Sequence, residues 1–237
     1  MNDNISCVIT TKDEKGNLKR CLRLVANLEE VIIVDDFSVD GVNNFVSRPQ
    51  EKLFRRKFDN ITNQRMFGAS HATKKWVLFL DTDECITKSG LDEIKRIIKQ
   101  NKGDYYSIPR ENIVLGKILK YGNWYPDYQL RLMKKDNVIF QPQGKEVGKL
   151  EIPLKHYSHQ DISEWCKKYW RATGIEAKTR KNLNPSSLLR TINDVWYRLV
   201  RCRGYKDGFI GVITIFYLPV FELTIMLKFI SKRLWRV

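Results

Sequence analysis

Hydrophobic positions along the chain switch repeatedly between two rhythms. Residues 5–11 (ISCVITT) form an uninterrupted β-branched run that reads as a buried strand. Leu18, Cys21, Leu22, Val25 and Leu28 then recur at helical spacing and predict a helix. VIIVDD (31–36) reads as a second buried strand, and the DFSVDG that overlaps its end carries turn chemistry. Residues 61–74 predict an amphipathic helix, WVLFLD (76–81) a third buried strand, and Leu91, Ile94, Ile97 and Ile98 another helix before the strand-like DYYSIP (104–109). Strands apolar on both faces, alternating with helices, predict an α/β fold with a mostly parallel sheet and flanking helices. From 113 to 158 the pattern breaks into short strands and Gly/Pro loops, and from about 160 it is helical and rich in Lys, Arg, Trp and Tyr. The expected organisation is a domain over 1–158 and a helical, basic C-terminal extension over 159–237.

Charge sharpens this picture. The formal net charge of +15 favours polyanionic partners: nucleic acid, an anionic membrane surface or phosphorylated substrates. The five cysteines (7, 21, 85, 166 and 202) are scattered with no C-x-x-C pair, which argues against a disulfide framework or zinc site and fits a reducing compartment. The N-terminal stretch is polar and then strand-like, so no signal peptide is expected.

The chemistry gathers where strands end. Asp35 and Asp36 follow VIIV, and Asp81, Asp83 and Glu84 follow WVLFL. In an open α/β sheet, ligands bind at the carboxyl ends of the strands. Carboxylates converging there repel one another unless a cation or hydrogen-bond donors neutralise them. A divalent ion with hard oxygen ligands, Mg²⁺ or Mn²⁺, would do so while keeping positions open for substrate phosphates. The other reading is that these acids form turns and helix N-caps, and spacing alone leaves both open.

VITTKDE, VDDFSVD, NQRMFGASHA and WVLFLDTDE, in that order, resemble the inverting family-2 glycosyltransferases of GT-A, Rossmann-like fold. The run IPRENIVLGKILKYGNWYPDYQLRLMKKD is similar to a bacterial subfamily that includes lipopolysaccharide-core β-glucosyltransferases. The resemblance implies a metal-dependent hexosyltransferase that moves a sugar, with inversion, from a nucleoside-diphosphate donor (a UDP-sugar favoured) to a glycan or glycolipid hydroxyl. Thr10, Thr11 and Glu14 would line the nucleotide pocket. Asp36 would contact the base or ribose, with Ser38 shaping its loop. Arg65 would face the diphosphate. Asp81 and Asp83 would form the D-x-D motif, Asp83 on the metal and Asp81 on ribose or metal, with Glu84 behind them or facing solvent. Asp127, four residues before Arg131, would be the catalytic base; Pro126 stands where the family often has an acid, and Glu146 is the reserve. Arg131 would bind substrate. His156 would be a further metal or diphosphate ligand, or an ordinary hydrogen-bonded residue. Trp124 and Tyr125 would stack on the acceptor sugar or pack in the core.

Residues 209–227 (FIGVITIFYLPVFELTIML) hold one charge, Glu222, and one proline, Pro219. Arg198, Arg201, Arg203 and Lys206 precede them, Lys228, Lys232, Arg233 and Arg236 follow, and Tyr205 and Trp235 stand at the edges. That pattern suits peripheral attachment to the inner face of an anionic cell membrane; a packed soluble helix and a true span are the other readings. A nucleic-acid-binding protein would leave the acid clusters unexplained and lacks a recognisable binding signature, so no nucleic acid partner is expected. A nucleotidyltransferase would want a Gly-rich phosphate loop, and TTKDEKGN is a poor one.

Overall fold

The computed structural model of the protein describes residues 4–159, 161–180, 182 and 185–234. These form two compact units, 1–110 with 128–156, and 111–127 with 157–237. The second unit thus takes up 111–127 besides the C-terminal segment, a division that a linear reading of the chain does not reveal.

The first unit is built on β1 (Ile5–Thr11), α1 (Lys15–Leu24), β2 (Glu30–Asp35), β3 (Glu51–Arg55), α2 (Ile61–Ser70), β4 (Trp76–Asp81), β5 (Glu84–Cys85), α3 (Lys88–Gln100), β6 (Tyr105–Val114), β7 (Lys117–Leu119), β8 (Asp127–Lys134), β9 (Gly148–Lys149) and β10 (Leu154–His159), of which β7, the tail of β6, Asp127 of β8 and the last three residues of β10 belong to the second unit. The sheet order is β3-β2-β1-β4-β8-β6-β10-β5. β3, β2, β1 and β4 run parallel, and β8 pairs antiparallel with β4. β1 lies between β2 and β4, so successive connections leave it in opposite directions. The carboxyl ends of β1 and β4 are therefore the switch point where such sheets take ligands.

Period-two alternation sorts the side chains onto two faces. Ile5, Cys7, Ile9, Val31, Ile33, Trp76, Leu78 and Leu80 pack against Leu18, Cys21 and Leu22 of α1 and Leu91 and Ile94 of α3. Val8, Ile32, Val34, Val77 and Phe79 face the other way with Ala69 of α2. α2 lies close against the sheet: a Cβ on Gly68 would stand 2.3 Å from Val8 Cγ1, so any larger residue forces the helix off. β3 (EKLFR) was not expected. As an edge strand it is only half covered, and its alternating charge hides it from a search for apolar runs.

Opposite the ligand edge, Glu30 opens β2 almost fully buried. Its carboxylate accepts from Ser6 Oγ (2.5 Å), Lys52 Nζ (2.8 Å) and the Thr73 backbone N–H (2.7 Å), joining β1, β2, β3 and the residues after α2. Burial works against its charge, but the lysine and the donors prevail and hold the carboxyl down at about 2.

The second unit holds the end of β6, which pairs antiparallel with β7 through Leu115 and Gly116. It also contains α4 (Ile162–Thr179), α5 (Pro185–Trp196) and α6 (Gly208–Leu234), with α4 and α5 packed on α6. Trp165, Tyr169, Tyr217 and Phe221 form a ring cluster between α4 and α6. Glu222 is buried, and its carboxylate accepts from Arg180 Nη1 and Nη2 (2.6 and 3.1 Å) and from Ser187 Oγ. Trp235 and Arg236 lie outside the described residues.

The Glu30 cluster yields a signed pH effect. Its folded carboxyl lies below the ordinary value of 4.5, so its stabilising contribution is present above that value and is lost as pH falls toward about 2. Glu30→Gln is expected to flatten the acid limb of stability by roughly 2 to 3 kcal/mol. Urea unfolding at a series of pH values from neutral downward measures this; parallel curves for the two proteins would exclude Glu30 as the acid-sensitive group.

Candidate active site

Strand register assembles the site. Thr10 pairs with Asp81 across β1 and β4, and Thr11 pairs with Asp35 across β1 and β2. An open cleft of about 270 Å³ lies over these strand ends, lined by Thr10, Thr11, Lys12, Glu14, Asp36, Phe58, Ile61, Gln64, Asp81, Thr82, Asp83 and His156. Of the residues that the family resemblance assigns to the site, Thr10, Thr11, Glu14, Asp36, Asp81, Asp83 and His156 share this cleft.

Two loops form a stitched rim. Lys12 Nζ donates to the Asp36 and Phe37 carbonyls (2.5 and 3.1 Å). The Asp13 N–H donates to Ser38 Oγ (2.8 Å), the Val39 N–H to Asp13 Oδ1 (2.8 Å), and the Lys15 N–H to Asp40 Oδ2 (2.7 Å). Ser38 is itself held by buried Asp35, to which its hydroxyl donates at 2.5 Å. Ser38 therefore sets the shape of the rim and does not line the cleft. Asp36 Oδ1 accepts the Phe58 N–H (2.9 Å) and places the half-exposed Phe58 ring at the cleft edge. Thr82 Oγ1 donates to Glu14 (2.5 Å), which holds that carboxylate against the D-x-D loop. Thr11 Oγ1 is buried and has no hydrogen-bond partner, an orphan donor and acceptor in the wall of the cleft.

The carboxylates at the end of β4 divide their tasks. Asp81 accepts from Arg65 Nη2 at both oxygens (2.7 and 2.8 Å) and from Arg131 Nη2 (2.7 Å). Glu84, fully buried, accepts from Arg131 Nη2 (2.5 Å) and from the Asp81 N–H (3.2 Å), with Arg110 Nη1 at 3.5 Å. Arg131, on β8 beside β4, is 2% exposed. Burial disfavours charge on all three groups. The two arginines nevertheless pull Asp81 down to about 2, the two carboxylates push Arg131 up, and burial raises Glu84 against the pull of Arg131.

This departs from the sequence expectation at Arg65 and Arg131. Arg65 and Arg131 were assigned to the diphosphate and substrate, yet they are the counter-charge of Asp81 and Glu84. Arg65 lines a different cleft with Thr62, Gln129, Leu130, Phe140 and Gln141, and Gln64 beside it takes the place in the site cleft. Glu84 takes the first of its two expected places: it lies fully buried behind the motif. Asp81, with both oxygens engaged by guanidinium groups, is placed to organise the strand tip, whereas Asp83 faces the cleft with His156 Nε2 3.3 Å from its Oδ2. That contact follows from register: β10 pairs with β5 so that His156 lies opposite Glu84, one residue from Asp83.

Among the described residues no group of three or more His, Cys, Asp or Glu is placed to hold a metal ion. Asp83 and His156 together offer one carboxylate oxygen and one imidazole nitrogen on the cleft wall. That donor set fits a Mg²⁺ or Mn²⁺ ion completed by phosphate oxygens and water.

Trp124, Tyr125 and Asp127 belong to the second unit. The loop that carries them is tied down by buried Asp207, whose Oδ2 accepts the Lys120 and Tyr121 N–H groups (2.9 and 2.8 Å). The Gly122 N–H donates to the Cys202 carbonyl (2.9 Å). The backbone approach here requires glycine, since a Cβ on Gly204 would stand 2.2 Å from Ile215 Cδ1 and 2.9 Å from the Arg198 carbonyl. Asn112 Nδ2 donates to the Trp124 carbonyl (3.1 Å) and to Asp127 Oδ2 (3.4 Å). Glu146, the reserve base, lies exposed in a turn of the first unit.

Lys12 falls within the 10–14 loop expected at the pocket, whereas Phe58, Ile61, Gln64 and Thr82 were not anticipated. The one visible signal was the apolar pair in FDNI around the Asn60 N-cap, exposed where a core would bury it.

Arg131→Met would leave Asp81 and Glu84 close together with one counter-charge removed. The expected loss is about 3 to 5 kcal/mol in urea unfolding. Adding Glu84→Gln should recover part of it, because the two sites are coupled. A double variant as unstable as the sum of the singles would show that Arg131 does not act through Glu84.

With this geometry established, comparison with known proteins adds three findings. Residues 6–150 match the family model Glycosyl transferase family 2. An uncharacterized glycosyltransferase of Rickettsia conorii is 31% identical over 94% of this chain and 90% of its own length. The SPbeta prophage-derived glycosyltransferase SunS of Bacillus subtilis is 24% identical over 76% of this chain, which spans 43% of that relative. Among solved structures, S. aureus TarS 1-349 in complex with UDP aligns with a TM-score of 0.50 at 16% identity, over 86% of this chain and 75% of that one, a likeness of fold.

Proposed function

The chain belongs to glycosyl transferase family 2, and from that premise we propose that it transfers a sugar, with inversion, from a UDP-sugar to a hydroxyl of a cell-surface glycan or glycolipid such as a lipopolysaccharide core. One observation carries the donor half: the cleft over the β1/β4 switch point brings an orphan Thr11 hydroxyl, an aromatic rim residue and the Asp83–His156 pair onto one small surface. An aromatic ring suits a nucleobase, hydroxyl and carboxylate acceptors suit a ribose, and the Asp83–His156 pair suits a cation-bridged diphosphate. Neither a nucleic-acid-binding protein nor a nucleotidyltransferase is favoured, since the family match covers every residue lining this cleft but His156.

In this reading Phe58 and Ile61 flank the base, and Asp36 and Thr11 hold the nucleoside. The stitched rim fixes these groups before the donor arrives, so little ordering remains on binding. Asp83 and His156 would hold a Mg²⁺ or Mn²⁺ ion. Bound there, such an ion would neutralise charge that develops on the leaving diphosphate. Asp81, immobilised by Arg65 and Arg131, keeps the β4 tip in one geometry and presents Asp83 at a set height. Asp127, at the start of β8 and four residues before Arg131, is the proposed base. Its carboxylate would take the proton of the acceptor hydroxyl as that oxygen bonds to the anomeric carbon and the bond from that carbon to the diphosphate oxygen breaks. Trp124 and Tyr125, three and two residues earlier, would offer ring faces to the acceptor sugar.

Calorimetric titration of UDP tests the donor half. Binding is expected with Mn²⁺ or Mg²⁺, weakened in EDTA, and weakened about tenfold or more by Asp83→Ala or His156→Ala. UDP binding that ignores both metal and Asp83 would remove the cation from the reading, and binding only by another nucleotide would remove uridine.

Asp127→Asn separates binding from transfer. The variant should bind UDP as the parent does and lose about 10²-fold or more in transfer to an acceptor extract. Retained transfer would remove Asp127 from the role and pass it to Glu146.

A further inference from the structure

α6 is apolar on every side, and the two sides are treated differently. Gly211, Thr214, Ile215, Glu222, Ile225 and Phe229 are buried within the second unit. Phe209, Phe216, Val220, Leu223, Leu227 and Ile230 are all exposed. Their spacing of seven, four, three, four and three residues keeps them on one face of the helix, about 31 Å long. A surface helix of a soluble protein carries charge on that face; this stripe has none. A contiguous apolar stripe left exposed marks an interaction surface.

Three observations identify what covers it. The unit of 111–127 and 157–237 carries 17 Lys and Arg against 8 Asp and Glu, and Arg201, Arg203 and Lys206, just before the helix, are exposed. Aromatic residues with a polar edge stand exposed in the same unit: Trp170 on α4, Trp196 at the end of α5, and Tyr205. Trp170 lies beside the far end of the stripe, because Lys228 Nζ sits 3.5 Å from its ring centre and donates to its carbonyl (3.1 Å) and to Thr173 Oγ1 (2.7 Å). Apolar stripe, cationic flank and interfacial tryptophan together match the chemistry of a lipid surface bearing negative headgroups.

The same facts weigh against the other occupants. A second copy would meet like charge, Lys228 included, and Val212, Ile213, Thr224 and Met226 beside the stripe offer no opposite charge to set the register of a paired helix. A nucleic acid would engage the cations and leave the stripe uncovered. A span is disfavoured, although Gly204–Ser231 is long and apolar enough to cross a membrane. The inner face of the helix is occupied by α4 and α5, and Glu222 is held in that contact by Arg180. We propose that the outward stripe of α6, with Trp170 beside it, docks in the plane of an anionic bilayer, the helix lying in the headgroup boundary while its inner face stays with the protein. This goes beyond the glycosyltransferase reading and does not rest on it.

Flotation of the full chain with phosphatidylcholine vesicles, with and without phosphatidylglycerol, tests the proposal. The stripe residues are exposed, so Leu223→Ser/Leu227→Ser should fold as the parent does, which circular dichroism and UDP titration check separately from lipid binding. Binding to the anionic vesicles is expected, weakened about tenfold or more by the double variant. Arg201→Gln/Arg203→Gln/Lys206→Gln should reduce binding to the level seen with phosphatidylcholine alone. No flotation with anionic vesicles, or flotation indifferent to the double variant, would overturn the proposal. So would a dimer in sedimentation velocity that the double variant dissolves, or retention on DNA that it leaves intact while vesicles fail to bind.

Discussion

One guanidinium shared by a half-buried and a fully buried carboxylate organises this protein. Arg131 stands between Asp81 and Glu84 with almost no solvent contact, at 2.7 and 2.5 Å. Neither acid could remain charged there alone, since desolvation of an ion in a protein interior costs several kcal/mol. Arg65 and Arg110 complete the compensation from the outer side of Asp81 and from beside Glu84. Because the charges are balanced within the fold, the tip of β4 can be packed like a core and still end in acids. Asp81 reaches the cleft with both oxygens engaged by guanidinium groups, whereas Asp83 faces it beside His156. The network thereby singles out Asp83 from the other two acids.

That selection depends on strand order. β8 runs antiparallel beside β4, and Leu78 pairs with Leu132, the neighbour of Arg131. β10 returns beside β5 and delivers His156 next to Asp83. Three segments far apart in sequence thus meet on one edge, each placed by backbone hydrogen bonds to a neighbour that the apolar pattern already fixes. The loops after β1 and β2 are then joined by their own side chains, Asp13 to Val39 and Ser38 to Asp13. A rigid sheet edge and a cross-linked rim leave the cleft little freedom, which is what a site for a flexible, multiply charged ligand requires.

The readability of all this from the chain follows from its physics. β1, β2 and β4 are buried on both faces, so their apolar runs announce them and the acids at their ends stand out. β3 escapes because an edge strand may keep Glu51, Lys52 and Arg55. The acid cluster was legible as a cluster, and its counter-ions were not. Neutralisation by Arg131 depends on β8 pairing with β4 at one register, a contact across some fifty residues that leaves no local periodicity. Arg65 and Gln64 differ by one position on a helix, a rotation of about 100°, and only packing decides which of them reaches the cleft. The taking-up of 111–127 by the C-terminal helices was equally invisible, since it depends on long-range hydrogen bonds of Lys120, Tyr121 and Gly122 to Asp207 and Cys202.

The C-terminal helices show the same rule applied twice. Glu222 and Asp207 are the acids that an apolar segment should exclude, and each is retained because it closes a specific contact. Glu222 answers Arg180 across α4 and α6, and Asp207 satisfies orphan amides of a loop. Their burial tells which side of α6 belongs to the protein. Once that side is assigned, the outward stripe cannot be read as a misplaced core, because the core partner of the helix is already present on its other face. An apolar surface that remains once α4 and α5 are packed, bordered by cations and tryptophan, is what the proposed bilayer contact would cover.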